Sequence, residues 1–364
     1  MLYRRCCLWT LRTVSFDEAK STPPVLDSRT MKPTAVRLAA IAIATFAPIA
    51  TTAQSRLLVV SQRDQTFHVY DPETLTEVAS AKEDGGADAG HEVIATVDGK
   101  TAFVPLYGNS GVGKPGTDGD HIQVFDIATA KPVGTIAFPH GVRPHKPIWD
   151  THTGMLLVTT EIDKTVSVVD PRSMKVVGSI PTGAKQSHMI TLLPDGKKLY
   201  SANVGPGTVS VMDVPGRKFL KTIPISSNTQ RISNSNDGKW VFTADQTTPE
   251  LVVIDTKTDT IAKRIKLPGV GYGTAPTVDG KSLLVTMDGQ PAIAVVDLKS
   301  MEVVKSVETP KGINEVVVSP DGKFAYATSA KTDHLVRIDL GTFKVTKDVT
   351  TGKFPDGLWL TAEK

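Results

Sequence analysis

Seven times this chain carries a short alternating run, rich in valine and isoleucine, that ends in aspartate. The copies are FHVYD at Asp71, IQVFD at Asp126, VSVVD at Asp170, VSVMD at Asp213, LVVID at Asp255, IAVVD at Asp297 and LVRID at Asp339. Their spacings are 55, 44, 43, 42, 42 and 42 residues. A second marker falls between them, a turn dipeptide ahead of another apolar run. It stands at Asp98-Gly99, Asp195-Gly196, Asp237-Gly238, Asp279-Gly280 and Asp321-Gly322, with Thr153-Gly154 in the same slot of the third unit. Asp-Gly between two alternating runs marks a hairpin, because its turn requires positive φ. Each unit thus predicts four short strands; the last full one reads EVVVSP, KFAYATS, HLVRID and KVTKDVTT. Four strands at a period in the low forties is the mark of a propeller blade. No segment sustains a helical apolar period, which disfavours an alternation of strands and helices.

The two ends predict how the ring closes. The first unit opens with RLLVVSQ, TFHVYD and EVASAK as its second, third and fourth strands, and the missing first strand reads DGLWLTA at the far end of the chain. The expected fold is an all-β, seven-bladed β-propeller over residues 54–364, with four antiparallel strands per blade. Pairing of the C-terminal strand with the N-terminal blade closes it. Such closure leaves only short, protected sheet edges.

In SPDGKFAYAT, LPDGKKLYSAN, TVSVVD, TVSVMD and SIPTG the repeats resemble the YVTN family of extracytoplasmic, YncE-like seven-bladed propellers. Blades of that family read SPDGKxxYVTN, then VSVID, then a strand ending in TG. The resemblance runs over residues 56–364 and implies the fold. It singles out no function, because the repeat is architectural and one fold hosts unrelated activities.

Residues 1–53 read differently. Residues 1–30 show no apolar periodicity and are expected to be an over-extended gene start. From Met31 the chain runs through Lys32 and Arg37 into an apolar stretch, Leu38 to Ala50, and then small residues up to Ala53. That order is a secretory signal peptide at 31–53, cut near Ala53, which predicts a periplasmic or secreted protein. The apolar stretch is too short to span a bilayer, so the mature chain is expected to carry no transmembrane segment. Both cysteines, Cys6 and Cys7, fall in the discarded part, which removes disulfides, thiolate nucleophiles and cysteine metal ligands from the mature chain. Charge changes too. Taking the leader's seven Lys/Arg and three Asp/Glu from 41 and 38 leaves 34 and 35, a net of −1 in place of +3. A near-neutral chain lacks the basic footprint of a nucleic-acid binder.

In a propeller the first strand of each blade lines the central channel. Its start lies on the face that carries the loop between the second and third strands. Counting back from the turn dipeptides puts His91, His145, His188, Gln230, Tyr272, Asn314 and Asp356 at equivalent hub positions, in steps of 42 from His188 onward. Asp356, His91, His145 and His188 form a contiguous arc around one mouth. They are the expected ligand-binding group, with Gln230, Tyr272, Asn314 and Arg143. Converging imidazoles beside a carboxylate suit Cu, Zn or Fe, with His91, His145 and His188 as ligands. A metal-free pocket for a small molecule, a protein-binding face, or hub polarity that only holds water are the alternatives. Glu161, Asn203 and Asp245, at the ends of second strands, are expected on the same face.

The second spacing exceeds the regular 42 by 13, and the surplus matches Gly108 to Asp120, GNSGVGKPGTDGD. This glycine-rich loop lies on the hub face, where it either covers the pocket or is simply solvated. Its Gly108-x-x-x-x-Gly113-Lys114 continues into Pro115 where a phosphate loop needs Ser or Thr, so nucleotide binding is rejected. The leading expectation is an exported propeller that binds a small ligand, a metal or a protein partner at the hub face. A hub-face enzyme is the alternative, with His145, Glu161 and Arg231 as candidate catalytic residues. Lactone-hydrolysing and lactonising enzymes resemble this fold. Copper or iron oxidoreductases on seven-bladed propellers also gather histidines at the hub.

Overall fold

The apolar runs become strands buried on both faces. The computed structural model describes residues 54–287 and 289–362, and among the described residues there is no helix. The gene-start and signal-peptide readings lie outside them. Seven antiparallel sheets follow one another around the ring, and each is flanked by two others. Second and third strands such as Leu57–Ser61 and Thr66–Tyr70 are buried throughout. An outermost strand such as Lys344–Thr350 instead alternates between exposed and half-buried residues. The core is therefore a set of layers between blades. One layer joins Leu58, Val60, Phe67 and Val69 to Val93, Val104 and Phe125 of the next blade, with the Phe67 and Phe125 rings stacked at 4.6 Å. Each such side chain contributes roughly 1.5–3 kcal/mol by leaving water.

Closure is as the ends predict. Pro355–Leu360 pairs antiparallel with Leu57–Ser61, matching Leu57 with Leu360, Leu58 with Trp359 and Val59 with Leu358. The repeat markers acquire physical roles. Asp71 Oδ1 accepts hydrogen bonds from the backbone N–H groups of Glu73 and Thr74 at 3.0 and 2.8 Å, which reverses the chain between third and fourth strands. Asp339 does the same for Thr342 at 2.7 Å. In the Asp-Gly turns only the glycine takes positive φ, 69° at Gly99 and 71° at Gly322. Gly99 N–H donates to the Thr96 carbonyl at 2.9 Å, so the connection is a four-residue turn closed by a left-handed glycine, not a two-residue hairpin.

The feature that builds the site is a bulge at the hub position. In the fourth blade Ser187 pairs with Asn203 and Met189 with Ala202, which leaves His188 as the extra residue. The same slip falls on Asn314 in the seventh blade and on Asp356 in the closing strand. In the third blade it spans His145 and Lys146, and in the sixth Tyr272 and Gly273. A bulge re-aims side chains and breaks strict alternation, so the hub residue and its successor can both face the channel. Arg143, Gln186 and Phe354, two residues before His145, His188 and Asp356, have φ of 51°, 54° and 55°. That left-handed conformation costs a residue with a Cβ roughly 1–2 kcal/mol. The second blade goes further: its first strand is split into Ala89–Gly90 and Ile94–Ala95, with His91, Glu92 and Val93 between.

Candidate functional site

Six of the seven hub positions line one cavity of about 420 Å3 at the channel mouth: His91, His188, Gln230, Tyr272, Asn314 and Asp356. Gln62 joins them, with Gly111 and Val112 of the inserted loop, and the side chains of Arg231, Lys331 and Phe354 also line it. His145 lies beneath, 1 % exposed, with its ring tilted 36° against His188 at a centroid distance of 3.7 Å. His91 meets His145 edge-on at 5.3 Å. Gln62 Nε2 approaches His91 Nε2 at 2.5 Å, and Gln230 Nε2 approaches His188 Nε2 at 3.1 Å. Each contact joins an amide to a ring and so holds that imidazole in place. His91 Nδ1 faces Asp356 Oδ2 at 3.7 Å. The Nδ1 atoms of His145 and His188 are buried with no protein partner. Burial, then the positive charge of Arg231, lowers His91 to about 3. Burial also holds His145 and His188 well below their ordinary value, so all three rings are neutral.

A second layer lies one residue further along each first strand, and sequence reading caught only Arg231 of it. Arg231 crosses the axis: Nη1 donates to Glu92 Oε1 at 3.0 Å, Nη2 to Asp356 Oδ1 at 2.9 Å, and the same guanidinium meets Glu315. Lys146 Nζ donates to Glu92 Oε2 at 2.7 Å and stands 3.8 Å from Glu315 Oε1. Glu92 is fully buried and Arg231 4 % exposed. Three carboxylates thus share two cations, an excess of one negative charge. Burial raises the Asp356 carboxyl, Arg231 opposes this, and Glu92 adds to it, leaving Asp356 at about 6. Tyr272 flanks the layer with the Arg231 guanidinium 5.3 Å from its ring centroid, and burial pushes its hydroxyl up to about 12. Glu92, Lys146 and Glu315 were hidden because strict alternation would turn them away from the channel; only the bulge admits them.

The inserted loop is docked, not free. Gly113 N–H donates to Glu161 Oε1 at 3.1 Å, Arg143 Nη2 donates to the Lys114 carbonyl at 3.0 Å, and Arg143 Nε pairs with Asp118. Arg143 and Glu161 therefore brace the loop and do not line the cavity. Tyr107, which sequence reading missed, stands next to the end of the strand before the loop and is fully buried. It donates its hydroxyl to Glu161 Oε2 and lays its ring against His91 and His145 at 4.7 and 5.2 Å. Of the proposed catalytic residues, then, His145 is under the stack, Glu161 is capped by Tyr107 and the loop, and Arg231 is held by carboxylates. Asn203 and Asp245 close local turns: Asn203 Nδ2 donates to Thr208 and Ser210, and Asp245 Oδ1 accepts from Thr247. Among the described residues no three His, Cys, Asp or Glu side chains are placed to hold one metal ion. The stacked pair and the engagement of His91 by Gln62 are the physical reason.

Fold and hub together define the class, a seven-bladed β-propeller with a titratable cluster at one mouth of its channel. The resemblance read in the repeats stands: residues 262–363 match the family model described as YNCE-like beta-propeller. No curated protein matches this sequence. Among solved structures, hydrazine synthase of Kuenenia stuttgartiensis is 24 % identical over 51 % of this chain, with a TM-score of 0.47. The match spans 60 % of that chain's length. The dihydro-heme d1 dehydrogenase NirN, solved in complex with DHE, is 14 % identical over 84 % of this chain and 74 % of its own, with a TM-score of 0.61. A functionally unknown protein from Desulfotomaculum acetoxidans DSM 771 is 12 % identical over 85 % of this chain and 99 % of its own, with a TM-score of 0.70. The last two share the fold.

Proposed function

We propose that this protein is exported after cleavage near Ala53 and binds a small, hydrogen-bonding ligand at the hub mouth. The observation that carries the reading is the convergence of six hub positions on one cavity of about 420 Å3, a size typical of small-molecule sites. The amides of Gln230 and Asn314, the Tyr272 hydroxyl and the Asp356 carboxyl offer donors and acceptors there, beside the Arg231 and Lys331 side chains in the same lining. The neutral rings also keep Cu, Zn or Fe among the ligands to be tried, since metal ligation needs unprotonated imidazole. The ligand of NirN is that protein's own; a tetrapyrrole joins the trial set because the fold is shared.

A thermal-shift and calorimetric screen tests this, using sugars, amines, lactones, a tetrapyrrole and the three metal salts on wild type and on His188→Leu and Gln230→Leu. A ligand that raises the wild-type melting temperature in proportion to concentration, and leaves the variants unmoved, supports the reading. Metal content at background together with no hub-dependent shift overturns it. One observation favours a catalytic version: Asp356, at about 6, opens into the cavity beside neutral His91 and is poised for proton transfer near neutral pH. Turnover of any screened compound that dies in Asp356→Asn with folding intact would support it, and turnover that survives would exclude Asp356.

A further inference from the structure

The channel has a second mouth, at the end where the first strands run into the Asp-Gly turns, and its chemistry is the opposite of the first. A cavity of about 630 Å3 opens there. Its walls include Ile148, Trp149, Leu192, Val317, Val318 and Trp359, and no charged residue is among the described residues that line it. Three polar side chains of the lining are already engaged. Trp149 Nε1 donates to the Ala95 carbonyl at 2.5 Å, Thr191 Oγ1 to Asn234 Oδ1 at 2.5 Å, and Asn234 Nδ2 to the Ser235 carbonyl at 2.9 Å. A molecule entering this mouth would gain by burying apolar surface, and a charge carried in with it would find no partner.

The surroundings limit what that molecule can be. Exposed Asp98, Lys100, Asp195, Lys197, Asp321 and Lys323 belong to the turns that ring this end of the channel, so hydrated charges border the apolar concavity. A stable protein interface would need about 800 Å2 from each partner, and a rim of hydrated charges around an apolar hollow does not offer that. A hollow of this volume matches a small molecule. The layer formed by Arg231, Glu92, Lys146 and Glu315 crosses the channel between the two mouths, so the two cavities are separate.

We propose that this mouth is a second binding site, for a small, uncharged, largely apolar molecule that packs on Trp149 and Trp359. The test uses N-phenyl-1-naphthylamine, an uncharged apolar fluorophore, titrated into the protein while probe emission and tryptophan quenching are followed. Thr151, in the lining, and Val97, 65 % exposed in the same lining, accept a charge without disturbing the core. Saturable binding that weakens by roughly tenfold or more in Thr151→Glu and Val97→Glu, at unchanged melting temperature, is expected. Asp356→Asn, at the other mouth, should leave probe affinity unchanged, so this site and the hub site succeed or fail separately. Uptake that never saturates, or equal binding by wild type and both glutamate variants, would overturn the proposal. So would sedimentation showing that this face is covered by a second copy released by either glutamate.

Discussion

Asp356→Asn removes a buried carboxyl of the hub that holds its proton more tightly in the fold than in the unfolded chain. The carboxyl has Arg231 at 2.9 Å, Asn314 at 3.1 Å and His91 at 3.7 Å. Burial outweighs the attraction of Arg231, with repulsion from Glu92 on the same side, and raises Asp356 from 3.8 to about 6. An acid whose folded value lies above its unfolded value binds its proton more tightly when folded. Its stabilising contribution is therefore complete below about 3.8 and is lost as pH rises through about 6. At about 1.36 kcal/mol per pH unit, that interval corresponds to roughly 3 kcal/mol. Asparagine has no proton to lose and still offers Arg231 an oxygen. The stability of the variant relative to wild type should thus rise by about 3 kcal/mol between about pH 3.5 and about pH 7.5, most of it between the two pKa values. Urea unfolding followed by circular dichroism at closely spaced pH values measures this, and taking the difference cancels the titrating groups that do not interact with Asp356. Parallel curves would refute the reasoning. A difference of opposite sign would mean that Arg231 stabilises the carboxylate by more than burial costs it.

Three further expectations follow from the same contacts. Arg231→Met leaves three buried carboxylates with Lys146 alone and should destabilise the fold by about 3–5 kcal/mol, read from the urea midpoint; a loss under about 1 kcal/mol would contradict the network described. His91, His145 and His188, held neutral by burial, should show no imidazole titration near their ordinary 6.5 in NMR spectra. Because their folded values lie below the unfolded one, the stability they contribute is present above 6.5 and is lost as pH falls below it; a midpoint near 6.5 would show the rings to be open to water. Gly357→Ala should cost about 1–3 kcal/mol, because its Cβ would fall 2.7 Å from Glu92 Cα and 2.8 Å from the His91 carbonyl oxygen, neither of which can move away. Gly111→Ala, whose Cβ meets nothing closer than Lys114 Cγ at 3.9 Å, serves as the control that should leave the midpoint alone.

The blades were legible because each obeys rules that act along the chain. Alternating apolar residues, an aspartate that caps its own turn and a glycine in the left-handed region are local requirements, and they recur at one period. Closure was legible as well, since the first unit lacked one strand and the last segment supplied it. The hub positions followed by counting, and six of them do share a cavity. Counting failed where geometry departs from alternation. Lys146, Glu92 and Glu315 face the channel only because a bulge or a broken strand turns two consecutive residues inward. Arg143 and Glu161 were placed at the right face but serve the loop, because docking of Gly113 and Asp118 takes up their polar groups.

By itself, then, the sequence determined the ring: the number of blades, the strand order, the seam, and which residues stand at the channel. Periodic local rules suffice for that, because every blade repeats the same solution. Only the tertiary structure decided what the channel residues do to one another. Arg231 reaches Asp356 and Glu92 from residues 125 and 139 positions away. The neutrality of the histidines, the proton affinity of Asp356 and the separation of a charged mouth from an apolar one all arise from burial and distance between blades, which no repeat encodes.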